Sequence, residues 1–388
     1  MGEKAEAGSR LGERILAARR RRGLTQEELG RPLELDKSAI SRIERGERRV
    51  DSYELAVIAE TLGVPAGELL GTRPRRGLLA VAARLAETSH QKDVVAAVAR
   101  VRRLLELDQI LGEIGIPNPR RADQPTVELP AQGNARRAGR VLAESMRVSL
   151  GLGDEPVADL SDLVERRLGI DVALEPLGEG VSGLCVRSEE VSLVLANSAP
   201  VAGHQRFTLA HELCHYLFDD PQPLLVDTQM IDSEGAAEIR ANAFAAHFLM
   251  PVEGIQSYVQ ERALDARVIT DMMYVFGVSL QALTWHLHEL KMLDWAGVEE
   301  VRRAGPKALV LRSGRWDSYE AGEAQRYQVR PPTRLYQRAI EAYASGRIGV
   351  GPVAGLLQRA DEEELRLELA DAGLAPSFEQ QTEVAELL

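Results

Sequence analysis

The chain has little cysteine: Cys185 and Cys214 are the two in 388 residues. That excludes a disulfide framework and points to a reducing compartment. It has no apolar run near the ~20 residues of a membrane span, and its opening Met1-Gly2-Glu3-Lys4 is polar, with no signal-peptide core. The expected location is the cytoplasm. Positive charge is in deficit, since 47 Lys and Arg stand against 59 Asp and Glu and the net charge is −12. A surface of that sign is unsuited to indiscriminate binding of nucleic acid or membrane, so any DNA contact must be local. Histidine is scarce as well, with seven in the chain. The length suffices for two to four domains and a substantial core.

Two of those histidines share one apolar run, Arg206 to Phe218, at H-E-x-x-H spacing. On a helix His211 and His215 are i and i+4, so both rings leave one face and can bind a single metal ion. Glu212 lies ~100° round from His211, placed to hold a water and poorly placed as a ligand. Phe207, Leu209, Ala210, Leu213, Leu217 and Phe218 make the helix apolar on most sides, which predicts burial, and buried imidazoles need a reason. Downstream, Glu238 to Met250 reads as a second helix that stops at Pro251. Packed on the first, it can deliver the Glu238 carboxylate. His211, His215 and Glu238 are then three ligands with a fourth position open, the arrangement of a catalytic and not a structural site. Asn242, one turn on, is placed to orient a ligand imidazole.

The stretches RFTLAHELCHYLF and EIRANAFAAHFLMP resemble the ImmA/IrrE family of zinc metallopeptidases, whose hallmark is RFTLAHELGH followed by E-x-x-A-N-x-F-A-x-x-L-L-M-P. The resemblance implies Zn2+ held by His211, His215 and Glu238, with Glu212 as general base. Cys214 stands where the family usually has Gly. A residue that stabilises the oxyanion is not identifiable; His204, Tyr216 and His247 are the candidates.

At the N-terminal end, Leu11 to Arg22 reads as a helix ending in a basic run and closed by Gly23. Thr25 to Glu28 is a capping box that opens a second helix. A third runs from an Asp36 cap to Gly46, and Ser52–Leu62 and Pro65–Leu70 complete a five-helix unit. T-Q-E-E-L, S-A-I-S-R-I-E-R-G and the closing L-A-x-I-A-E-T-L-G-V resemble the Xre/Cro/repressor helix-turn-helix family. That resemblance implies that Gln26 anchors the DNA backbone while Lys37, Ser38, Ser41 and Arg42 enter the major groove. Pro32 shortens helix two, and Glu34 stands where the turn normally carries Gly. A unit serving dimerisation or protein binding without DNA is the plainer alternative.

Gly71 to Gly77 is a basic, flexible linker, and Asp93 to Ile114 an apolar-striped helix that either packs on its own domain or dimerises. Pro117 to Pro125 marks a boundary. Helices Arg136–Leu150 and Asp159–Leu168 and strands over 171–175, 183–187 and 191–197 precede the histidine helix. The last strand is the expected substrate-binding edge. Cys185 is either a small core residue or a thiolate that takes the open zinc position and silences the enzyme. Val275 to Leu287 repeats a helix-turn-helix pattern within the peptidase domain. Ala308 to Leu311 reads as a strand, followed by helices Pro332–Ser345 and Val353–Gln358 and a mobile acidic tail.

The expected fold class is multidomain and mainly α: an N-terminal five-helix helix-turn-helix domain plus an α+β zincin-like metallopeptidase domain with a small sheet. The expected divisions are 1–72 for DNA binding, 73–130 for a helical linker or dimerisation segment, 131–298 for the peptidase and 299–388 for a C-terminal extension. The function implied is a transcriptional regulator that binds a double-stranded DNA operator, as a homodimer if the linker helix dimerises. It cleaves a helix-turn-helix repressor, partner or itself, in a stress or phage-related response. The competing reading is a non-proteolytic DNA-binding regulator whose second domain senses a ligand or partner.

Overall fold

The computed structural model describes residues 11–12, 14–20, 22, 24–33, 35–46, 48, 50, 52–62, 69, 92–118, 134–178, 181–187, 192–218, 235–260 and 262–376. The chain forms two compact units, Met1–Ala83 and Arg84–Leu388. It is multidomain and mainly helical, with one three-stranded sheet among the described residues. Glu34, the linker 71–77, the break at 119–125, all of the expected helix 65–70 except Leu69, and the tail 377–388 lie outside them.

In the first unit local chemistry sets each helix end. Thr25 caps helix Gln26–Gly30 in a full capping box with Glu28. Pro32 then sits in a single 3-10 turn, Arg31–Leu33, because it cannot donate the backbone bond that would extend the helix. Asp36 accepts from the Ala39 amide at 2.7 Å and opens helix Lys37–Glu44. Ile15, Leu29, Ile40, Ile43, Ile58 and Leu69 are fully buried together, and burial of each such side chain stabilises by about 1.5–3 kcal/mol. Beside them Glu44, itself buried, is held by Arg19 at 2.6 Å and by the Gln26 amide at 2.6 Å.

In the second unit helix Lys92–Glu113 buries Val94, Val101, Leu104, Leu107 and Leu111, so its apolar stripe is spent within its own unit. Arg100 on that helix binds the Glu175 carboxylate and donates to the carbonyls of Gly355 and Leu356, at 2.8 and 2.7 Å. Arg338 from the C-terminal helix Thr333–Ala344 likewise binds Asp108 and the Ile116 carbonyl.

Strands β1 (Asp171–Glu175), β2 (Gly183–Arg187) and β3 (Ser192–Asn197) form a sheet in the order β1-β3-β2. β3 is parallel to β1 and antiparallel to β2. The expected edge strand is therefore the central one: all six residues of β3 are buried, its backbone is paired on both sides, and β2 is an edge among the described residues. Leu174 exchanges two backbone hydrogen bonds with Arg330, at 2.9 and 2.8 Å, which ties the C-terminal part to β1.

Helix Ala202–Phe218 lies against β2 and β3, and helix Ala236–Leu249 packs on it and on helix Ala135–Ser149. The last contact is close because Gly139 has no side chain: a Cβ there would fall 2.1 Å from the Arg240 carbonyl oxygen. Helix Ala266–Phe276, the left-handed Gly277 and the Ser279-capped helix Leu280–Glu289 complete the expected second helix-turn-helix pattern inside this unit. The strand expected at 308–311 is helical instead. Gly305 at φ 73° breaks helix Trp295–Ser313, and Pro306 starts a new helical segment with its pre-set φ.

Candidate metal centre

The histidine helix begins where Gln205 donates to the carbonyls of Ser198 and Pro200, at 2.9 and 2.7 Å. Every residue from Phe207 to Tyr216 is buried. A helix buried on all sides holds its side chains in fixed rotamers, so the i,i+4 pair is rigid. The His211 and His215 rings meet edge-on with centroids 4.8 Å apart. Their Nε2 atoms are 3.0 Å apart. The Glu238 oxygens lie 3.1 Å from His211 Nε2 and 3.2 Å from His215 Nε2. These three residues form the one His/Cys/Asp/Glu cluster with metal-binding spacing among the described residues.

Asn242 Oδ1 sits 2.9 Å from His211 Nδ1 and accepts its hydrogen, which leaves His211 Nε2 with a lone pair facing the carboxylate. Acceptors that converge in a buried spot call for a proton or a cation between them. A tetrahedral ion with bonds of about 2.0–2.1 Å holds its ligand atoms about 3.3 Å apart, close to the separations seen here. The donor set, its spacing and the tautomer fixed by Asn242 therefore fit a metal. When protons fill this spot instead of a metal, burial raises the Glu238 carboxyl, but hydrogen bonds from His211 and His215 and their charge bring it down to about 2.

Glu212 is buried beside the cluster, under β2. A Cβ on Gly183 would lie 2.9 Å from Glu212 Cγ and 3.0 Å from Thr208 Cγ2, so the strand reaches the helix only because that residue is glycine. Gly183 carries no motif in the sequence; its position at the start of a strand is the one signal. Cys185, two residues on, shares that strand face. It packs, half-buried, against the core and does not join the metal cluster. Arg187 at the end of β2 donates to the carbonyls of Tyr216 and Leu217, at 3.0 and 3.4 Å, and covers the exit of the histidine helix.

Of the oxyanion candidates, Tyr216 lies under the Arg187 guanidinium, and His247 stacks edge-on against His286 at 4.7 Å. Burial and the neighbouring His286 push His247 down to about 3, so it is neutral near pH 7. His204 is likewise pushed down by burial. Neither histidine is a member of the metal cluster.

In the first unit, Lys37, Ser38 and Arg42 are exposed and Ser41 half-exposed on one face of helix Lys37–Glu44; Arg45, also exposed, continues that face one turn on. The Ser38 hydroxyl donates to Asp36 at 3.0 Å. Gln26 is directed inward to Glu44, where it braces two helices.

Residues 15–69 match the helix-turn-helix family, and residues 165–288 match the IrrE N-terminal-like domain of peptidase family M78. No curated protein matches the chain. Among solved structures the chain is similar to the apo form of the competence regulator ComR from Streptococcus vestibularis, at 15% identity over 95% of this chain and 100% of that one, with a TM-score of 0.16. A likeness that low carries no structural argument. Two stretches of the chain thus match, in that order, a helix-turn-helix domain and the IrrE N-terminal-like domain of peptidase family M78.

Proposed function

We propose that this protein is a transcriptional regulator whose second unit is a zinc endopeptidase that cleaves a helix-turn-helix repressor, a partner or itself, in a stress or phage-related response. The observation that carries it is the convergence of His211, His215 and Glu238, with the buried side chain of Glu212, the next residue after His211, packed under β2. Zinc bound there supplies Lewis-acid polarisation of a water or of the scissile carbonyl. Glu212 takes the proton from the attacking water and later passes it to the leaving amine. Asn242 holds His211 in the tautomer that presents Nε2.

The edge strand supports a way of holding an extended peptide. The Asn197 amide donates to the Ser182 carbonyl at 2.8 Å, so in the alternating antiparallel pattern Leu184 and Val186 turn their backbone groups toward β3. Gly183 and Cys185 turn theirs to the side of β2 away from β3. A substrate strand added there lies beside Glu212.

Metal analysis and cleavage test this reading together. Protein purified without a histidine tag should carry about one zinc per chain, lost in His211→Ala and His215→Ala. Glu212→Gln should keep the metal and lose cleavage of the repressor. Cleavage that persists in Glu212→Gln refutes the assignment.

A further inference from the structure

A cavity of about 330 Å³ opens behind the metal centre, between helices Ala135–Ser149, Ala236–Leu249 and Leu280–Glu289, and Asn242 forms part of its wall. Its size falls within the range of small-ligand sites. At the exposed side, Arg136 and Glu289 form an ion pair at 2.8 Å, with side chains 58% and 28% exposed. A wet pair of that kind is weak, so both charges are available to a ligand. On the buried side, the cavity residues Trp285 and His286 each have a polar atom with no hydrogen-bond partner, the indole Nε1 and the imidazole Nδ1. His286 is 1% exposed, and its Nε2 is 3.0 Å from the Met250 carbonyl, which fixes the proton on Nε2 and makes Nδ1 an acceptor. One cavity thus offers a cation and an anion side by side at its mouth and an N–H donor and a nitrogen acceptor within.

We propose that this cavity binds a small zwitterion of the dipeptide class. The ligand carboxylate pairs with Arg136, its ammonium with Glu289, and its amide supplies the acceptor and donor that Trp285 and His286 lack. The Asn242 carboxamide is shared between this wall and His211, so occupancy that turns it alters how firmly the metal is held. By linkage the metal then changes ligand affinity by the same factor. Only this coupling rests on the metallopeptidase reading; the binding does not.

The test is calorimetric titration of the full chain, metal-free and zinc-loaded, with dialanine, and with N-acetylalanine N-methylamide as the uncharged control. Saturable 1:1 binding of dialanine is expected, weaker by about tenfold or more in Arg136→Gln and in Glu289→Gln, weaker for the capped compound, and lost in Ala282→Met, which fills the cavity. Both charge variants keep the side-chain length at the cavity mouth, where Arg136 is exposed and Glu289 half-exposed, so they remain informative if Ala282→Met fails to fold. No saturable binding to wild type, equal affinity in the charge variants, or equal binding of the capped compound overturns the site. A dialanine affinity identical with and without zinc overturns the Asn242 link and leaves the site standing.

Discussion

The Asn242 carboxamide oxygen lies 2.9 Å from His211 Nδ1, and Asn242 is one turn beyond Glu238 on the same helix. One helix therefore supplies both the Glu238 carboxylate of the cluster and the group that orients the His211 ring. Replacing Asn242 with Ala should leave the fold intact and weaken metal binding by about 10–100-fold, as read by competition with a chromophoric chelator. Unchanged affinity means that packing alone orients His211.

Gly183→Ala places a Cβ 2.9 Å from Glu212 Cγ and from the Leu195 carbonyl oxygen. The strand or the glutamate must move. We expect a stability loss of about 1–3 kcal/mol, metal content near wild type, and peptidase turnover down by about 10²-fold, since a 1 Å misplacement suffices for that. Metal content and turnover measured on the same sample separate a displaced Glu212 from a collapsed site.

His247 titrates in the folded chain at about 3, against 6.5 for an ordinary histidine. Its folded value is depressed, so its contribution to stability is full above pH 6.5 and is lost as pH falls from 6.5 toward 3. The limiting slope is about 1.4 kcal/mol per pH unit. Urea midpoints of metal-free protein between pH 7 and 4 should fall more steeply for wild type than for His247→Leu. Parallel profiles refute this account.

Arg100 joins a buried Glu175 to two carbonyls of the C-terminal part. Burial raises the Glu175 carboxyl even though Arg100 opposes the shift. Arg100→Ala leaves that carboxylate without its cation, at a cost of about 3–5 kcal/mol. Thermal unfolding and faster proteolysis within residues 92–113 are the measurements.

Arg42 is exposed on the third helix and Gln26 is bound to Glu44. Arg42→Ala should weaken duplex binding and lower the salt slope by about 1. Gln26→Ala should lower the melting temperature of the first unit. A variant of Gln26 with normal stability and poor DNA affinity would reverse these roles.

The meeting of His211 and His215 was legible because i,i+4 spacing on a buried helix leaves little geometric freedom, and the caps at Thr25 and Asp36 were legible because they act within four residues. Long-range arrangement was not. Periodicity shows that β3 is a strand but not that β1 and β2 flank it, so the edge was assigned to the wrong strand. The apolar run at 308–311 suits either element, and the Gly305–Pro306 step decides for helix through backbone angles. Gly183 and Gly139 matter through what approaches them, which no local pattern records.

The carbonyls that receive Arg100 belong to Gly355 and Leu356, some 255 positions later in the chain. During synthesis the helix at 92–113 emerges first and its acceptors nearly last. Its arginine and apolar stripe must wait, solvated or guarded, until the C-terminal helices exist. Closure of the second unit is therefore a late, non-local event, of the kind that slows folding and lengthens exposure to aggregation. A nascent chain stalled before residue 350 would hold His211, His215 and Glu238 yet lack the clasp that completes the unit around them.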